Sequence, residues 1–150
     1  MGYGMGAAIG AAAAGNDRVI LITGDGSFAM NCNELATAVT CGMPIALVLF
    51  DNGVLGMVRQ WQTLFFGKRY SNTVLERKTD FVKLAEAYGA KAERVTDIKG
   101  FEEAFARAMK CKGPYLIDTV IDKDELVLPM LPPGGSVDEI ITEIKKEDRK

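Results

Sequence analysis

The chain has 150 residues, 48% hydrophobic and 25% charged, with a formal net charge of −2. That suits one soluble domain with its own core, and the near-neutral charge argues against a nucleic-acid surface, which needs a basic patch. There is no histidine, so Ser-His-Asp and Cys-His catalysis, His-ligated zinc and histidine general bases are all excluded. Cys32, Cys41 and Cys111 are odd in number and lack CxxC spacing, which reads as buried or half-buried free thiols in a reducing cytosol.

The opening stretch, MGYGMGAAIGAAAAG, is too short and too weakly apolar to span a bilayer and lacks the basic start of a signal peptide. The expectation is a cytoplasmic protein with no membrane partner. Gly2, Gly4, Gly6 and Gly10 miss the G-x-G-x-x-G spacing of a dinucleotide site, and no strand precedes them. Small residues at positions 2, 6 and 10 suit a helix packed very close to another backbone. Packing is favoured over the other reading, a phosphate contact at the N-terminus.

Two all-apolar runs follow, Val19 to Ile22 and Ile45 to Phe50, as expected of parallel strands covered on both faces. Between them Asn33 to Thr40 has helical character and stops at Gly42 before Pro44. Residues 67–79, GKRYSNTVLERKT, are polar enough for a long loop. Asp80 can cap a helix whose Phe81, Leu84, Ala85 and Tyr88 share one face, and Gly89 ends it. A strand from Ala92 to Val95, a helical stripe at Phe101, Ala104, Phe105 and Ala108, and a strand from Tyr115 to Ile121 complete the pattern. The β-α-β-α order predicts an α/β fold, a doubly wound parallel sheet with helices on both faces and right-handed crossovers. Residues 1–150 read as a single domain, with an extended arm and tail from about 122 onward. Lys145, Lys146, Arg149 and Lys150 alternate with acids there, as in a solvated end.

Gly24-Asp25-Gly26 and Asp51-Asn52-Gly53 both fall at carboxyl ends of predicted strands, the edge where ligands bind in such sheets. On neighbouring strands, Asp25 and Asn52 can approach one cation. A carboxylate and an amide carbonyl are hard oxygen ligands suited to Mg²⁺ or Ca²⁺, and Mg²⁺ keeps positions for water and phosphate. Gly26 leaves room for a phosphate, to which Ser27 and the backbone N–H groups at the following helix start can donate. The plainer alternative is turn chemistry, since Asp-Gly and Asn-Gly are common after strands. An EF-hand fails because TGDGSFAMNCNE lacks the carboxylate spacing.

The GDG loop with a downstream Asn resembles the motif of thiamine-diphosphate (ThDP) enzymes. MGYG…AAIGA, GMVRQWQTLFF, GPYLIDTVIDKDE and VLPMLPPGGSVDEII are similar to one branch, the acetolactate (acetohydroxyacid) synthase catalytic large subunit. The resemblance runs over essentially the whole chain, but only as that family's C-terminal, ThDP-binding domain. It implies Asp25 and Asn52 as Mg²⁺ ligands, with the main-chain carbonyl of Val54 as a third. Gly24, Gly26 and Ser27 would line the diphosphate, with Leu55 and Gly56 meeting it from the second loop. Met57 would pack near the thiazolium, and Met1 would prop the cofactor's bend. Trp61, one helical turn after Met57, would select the second 2-oxoacid; a plain core aromatic is the alternative there. The implied reaction decarboxylates pyruvate on ThDP and joins the remainder to pyruvate or 2-oxobutyrate, a step of branched-chain amino acid biosynthesis. The cofactor carries the hard chemistry, which suits a chain without histidine.

Gly6, where the family often has Pro, and Asp51, where it often has Asn, depart from the pattern. Family members are several times longer, and the acid that activates the cofactor lies on an N-terminal domain supplied by a neighbouring subunit. The expectation is therefore half of an active site, with no catalytic residue of its own, in a homo-oligomer and without turnover in isolation. FAD belongs to the full-length enzymes, held largely by a domain without counterpart here, and whether a small regulatory subunit binds is left open. Competing readings are a pyruvate oxidase-like or decarboxylase-like ThDP enzyme, or a non-catalytic ThDP or diphosphate-binding module. An exposed apolar face is expected as well, at the Leu126 to Leu131 arm and the N-terminal helix.

Overall fold

The computed structural model describes residues 1–15, 18–75 and 78–143, so Lys145, Lys146, Arg149 and Lys150 lie outside the described part. In chain order the elements are α1 (Gly4–Ala13), β1 (Val19–Gly24), α2 (Asp25–Phe28), α3 (Glu34–Thr40), β2 (Ile45–Asp51), α4 (Gly56–Phe65), α5 (Phe81–Tyr88), β3 (Lys91–Val95), α6 (Ile98–Lys110) and β4 (Tyr115–Val120). A 3₁₀ turn, Val137–Glu139, follows. The four strands form one parallel sheet in the order β1-β2-β4-β3.

Register explains why the apolar runs have no polar side. Leu21, Leu47 and Leu116 stand in one row and meet Met5, Ala8, Leu35, Ala38, Phe81 and Ala85 from α1, α3 and α5. Ala46, Val48 and Ile117 point to the other face and pack on Ala104 and Ala108 of α6. Each fully buried Leu or Ile in these layers contributes about 1.5–3 kcal/mol. The helices therefore lie on both faces, as the apolar pattern predicts.

Coverage of the second face is incomplete. α6 lies over β2, β3 and β4, which leaves Ile20, Ile22 (64% exposed) and Phe50 of β1 and β2 open. The sequence pointed instead to the arm and the N-terminal helix for exposed apolar surface. Val127 and Leu131 of the arm are indeed exposed, but α1 turns Met5 and Ala8 into the core.

Local chemistry sets the helix ends. The Asp80 carboxylate accepts from the Val82 and Lys83 N–H groups, and Gly89 closes α5 at φ 92°, the left-handed position that glycine takes without strain. Asp97 caps α6 by accepting from Gly100 N–H at 2.8 Å. Arg94 then ties α5 to the sheet, reaching Asp118 at 2.8 Å and Asp80 at 3.2 Å. Burial pushes the Asp118 carboxyl up while the Arg94 hydrogen bond pulls it down, and burial wins.

Two expectations are corrected in detail, and one alternative is set aside. The close approach of α1 to a neighbour is made at Gly4, where a Cβ would stand 2.9 Å from Leu21 Cδ1, whereas Gly6 and Gly10 face open space. Helical phase decides this: Gly4 shares the buried side with Met5 and Ala8. Cys41 is exposed because α3 ends there, while Cys32 and Cys111 are half-buried. Trp61 is 38% exposed and is not a core aromatic. Among the described residues no helix is long and apolar enough to cross a membrane.

Candidate functional site

β1 delivers Gly24 in an extended conformation, and the chain turns at once into α2, whose first residue is Asp25. Asp25 is 3% exposed, and its Oδ1 accepts from Gly26 N–H at 2.7 Å. The Ser27 hydroxyl accepts from Gly2 N–H at 2.9 Å, while the Asn31 amide donates to Gly2 O. Gly2, at φ 74°, is thus held through both its backbone groups in a conformation that favours glycine. This pin brings Met1 back across the chain. A Cβ on Gly26 would lie 3.1 Å from Leu55 Cδ2, 3.4 Å from Met1 Cε and 3.6 Å from Leu75 Cδ1. Sequence reasoning gave Ser27 a donor role and gave Asn31 none, and its only signal was a polar residue after an apolar triplet.

β2 lies directly beside β1, with Gly24 opposite Phe50, so the loops carrying Asp25 and Asn52 leave adjacent strand ends. Asp51 Oδ1 accepts from Gly53 N–H at 3.3 Å, and Asn52 Oδ1 accepts from Val54 N–H at 3.1 Å. These are side-chain turns of the kind that Asp and Asn favour. The Asp51 carboxylate, whose direction was open in the sequence, turns to its own loop. Asn52 also packs on the start of α4, where a Cβ on Gly56 would be 2.9 Å from Asn52 Nδ2.

The segment read as a polar loop has a structural job. It doubles back so that Val74 bridges Val54 in antiparallel fashion, with Leu55 N–H donating to Thr73 O and Leu75 N–H to Gly53 O, each at 2.8 Å. Those bonds flank Val54 and leave its own carbonyl outside the pairing. Thr73 is buried in consequence, although nothing apolar or periodic marks it in the sequence.

α4 puts Met57 and Trp61 on its exposed side, with Trp61 edge-on to Phe65. Arg59 and Gln60 face the other way and are buried. The Arg59 guanidinium donates to Asp124 at 2.7 Å and lies 3.9 Å over the Tyr70 ring. The hydrogen bond to Asp124 raises Arg59, and the same bond holds the Asp124 carboxyl below the usual carboxylate range.

Among the described residues no group of three His, Cys, Asp or Glu side chains could hold a metal ion. A cation here would take one carboxylate oxygen, one amide oxygen and one main-chain oxygen, and complete its shell from a phosphate. That donor set fits Mg²⁺ with a diphosphate. The Cβ that Gly26 lacks would meet Leu55, Met1 and Leu75, so glycine there lets these apolar side chains close over the first loop.

Comparison with known proteins settles the class. The chain belongs to the thiamine pyrophosphate (ThDP) enzymes, matching "Thiamine pyrophosphate enzyme, C-terminal TPP binding domain" over residues 1–119. Within that family it is similar to acetolactate synthase large subunits. It is 47% identical over 150 residues to a probable acetolactate synthase large subunit of Methanocaldococcus jannaschii, covering 99% of this chain and 25% of that one. It is 46% identical over 145 residues to the acetolactate synthase isozyme 2 large subunit of Escherichia coli K12, covering 96% and 26%. A solved structure, the ThDP-dependent 4-hydroxybenzoylformate decarboxylase of Rhodococcus jostii RHA1, superposes with a TM-score of 0.74 at 31% identity, covering 82% of this chain and 24% of that one. The chain thus spans about a quarter of the length of the relatives it matches.

Proposed function

We propose that this domain holds the diphosphate end of ThDP through Mg²⁺ in an acetolactate synthase of the cytoplasm. The observation that carries the reading is that the loops bearing Asp25 and Asn52 leave the ends of two adjacent parallel strands. In this reading Asp25, Asn52 and the Val54 carbonyl bind Mg²⁺. Gly24, Gly26 and Ser27 face the diphosphate from the first loop, and Leu55 and Gly56 from the second. The Ser27 hydroxyl accepts from Gly2 N–H and keeps its own proton to donate. Met1 props the cofactor's bend, Met57 packs near the thiazolium, and Trp61 forms the wall against which the second 2-oxoacid is chosen. Bound there, ThDP supplies the carbon nucleophile that decarboxylates pyruvate and passes two carbons to pyruvate or 2-oxobutyrate.

No group of this chain is assigned the proton transfer that activates the cofactor. That role falls to an acid on the rest of the enzyme, contributed by a neighbouring catalytic subunit in a homo-oligomer. The chain alone then binds without turning over.

Calorimetric titration of ThDP with and without Mg²⁺, on this chain and on Asp25→Ala, tests the reading. Mg²⁺-dependent binding that disappears in the variant supports it. Equal binding by both proteins refutes the role of Asp25. Reconstitution with the remaining three-quarters of a relative, read as acetolactate formed from pyruvate, separates a synthase from a binding module.

A further inference from the structure

α4 is held unlike the other long helices. Among the described residues α1, α3, α5 and α6 pack on strands or on one another, whereas α4 does neither to any extent. A ten-residue helix without such packing is marginal by itself. What fixes it is polar. Gln60, 2% exposed, spends its whole amide on the arm after β4: Nε2 donates to Val127 O at 3.0 Å and to Met130 Sδ at 3.0 Å, and Oε1 accepts from Val127 N–H at 2.8 Å. This is the pairing one strand offers another, made by a side chain. Arg59, the preceding residue, adds the Asp124 contact on the same arm. Gln62 makes a similar pair with Ser71, its Nε2 donating to Ser71 O at 3.1 Å and its Oε1 accepting from Ser71 N–H at 3.2 Å. The arm therefore shares with that loop the setting of the helix's rotation, and hence of the direction of Trp61, the residue next to Gln60.

We propose that Gln60 is a positioning residue, which by clamping the Val127 peptide to α4 sets the direction of Trp61 and makes the arm a determinant of acceptor choice. Its bearing on acceptor choice rests on the reading of Trp61 above. The clamp itself involves no cofactor and is measured without one.

Trp61 is the single tryptophan of the chain, so its emission reports on α4 alone. Hydrogen exchange at the Val127 amide reports the clamp. Gln60→Met, similar in size but without the amide, speeds that exchange about tenfold, the effect of one lost hydrogen bond, and shifts the Trp61 emission. Gln60→Glu keeps an oxygen to accept from Val127 N–H but at neutral pH loses the donor to Val127 O, so it shifts the Trp61 emission. That emission returns towards wild type as the pH falls and the carboxyl regains a proton, a return that Gln60→Met lacks. The other charges at the clamp are Arg59, Asp124 and Asp122, and the Arg59 hydrogen bond holds the Asp124 carboxyl below the ordinary carboxylate range. A packing role alone would give no such pH profile. Val127→Pro removes the arm's N–H without touching α4 and gives the same Trp61 shift.

Unchanged emission in both Gln60→Met and Val127→Pro overturns the proposal. In the reconstituted enzyme each variant changes the ratio of acetohydroxybutyrate to acetolactate at a fixed mixture of 2-oxobutyrate and pyruvate; an unmoved ratio beside a shifted emission overturns the link to acceptor choice. Failure of the wild-type chain to bind ThDP would count against the cofactor reading, and the emission experiment would still decide the clamp.

Discussion

Gly56→Ala separates the fold from the site. Gly56 opens α4, and a methyl there lands 2.9 Å from Asn52 Nδ2, where ordinary contact begins at 3.4 Å. The Asn52 amide must therefore move by about 0.5 Å, the tolerance within which a ligand constellation functions. Stability should hardly change. Alanine gains up to about 1 kcal/mol over glycine in a helix, less in a first turn. Against this, disturbing the Asn52 Oδ1 bond from Val54 N–H costs about 1 kcal/mol. The two offset, so Tm stays within about 4 °C of wild type. ThDP affinity at saturating Mg²⁺ falls about 10–100-fold, as for the loss of an orienting contact at a metal site. The assay is calorimetric titration beside thermal unfolding of the ligand-free chain. Full affinity at unchanged Tm would refute the role of Asn52. Lost affinity with Tm lowered by more than about 10 °C would refute the offset and trace the loss to the fold.

Leu35→Ala, at a 1% exposed position between α3 and the sheet, lowers stability by about 2–5 kcal/mol in urea unfolding, and a smaller loss would mean that the α3 layer collapses into the gap. Asp124→Asn tests the arm through pH. Arg59 depresses the folded Asp124 carboxyl, so its contribution is full above the ordinary carboxylate value and is lost as pH falls through the depressed one. The carboxylate side chain is 53% exposed, and screening limits the effect to under about 1 kcal/mol. Wild type and variant therefore differ at neutral pH and converge as the pH falls through the depressed carboxyl; a constant difference across that fall would remove the ion pair from the account. Ile22→Lys, on the open sheet face, reduces self-association in a sedimentation dilution series, and equal association of both proteins would place the sticky surface elsewhere.

How much of this was legible follows from the range over which each cause acts. Ile45 to Phe50 announces a covered strand because every side chain points into one of two apolar layers. Asp80 and Gly89 announce the ends of α5 because capping is settled within three residues. The loops of Asp25 and Asn52 were readable as strand-end turns for the same reason, since each lies in the first turn past an apolar run. The phase of α1 was not, because glycines at 4, 6 and 10 look alike until Leu21 selects Gly4.

The contacts that aim the site's residues are of another kind. Gly2 with Ser27 and Asn31, Val54 with Val74, and Gln60 with Val127 each join polar or backbone groups of irregular segments far apart in sequence. Such pairs have no period, need no special residue type, and leave the hydrophobic pattern untouched. Sequence therefore tells which oxygen-bearing residues fall in the loops, because turn chemistry is local, but not where they point, because pointing is fixed by long-range hydrogen bonds. Variants at Asn31, Val74 and Gln60 should then disturb the site more than variants of the core at equal cost in stability. An equal effect of both kinds on ThDP affinity, compared at matched Tm, would show that the core and not these pins holds the ligands in place.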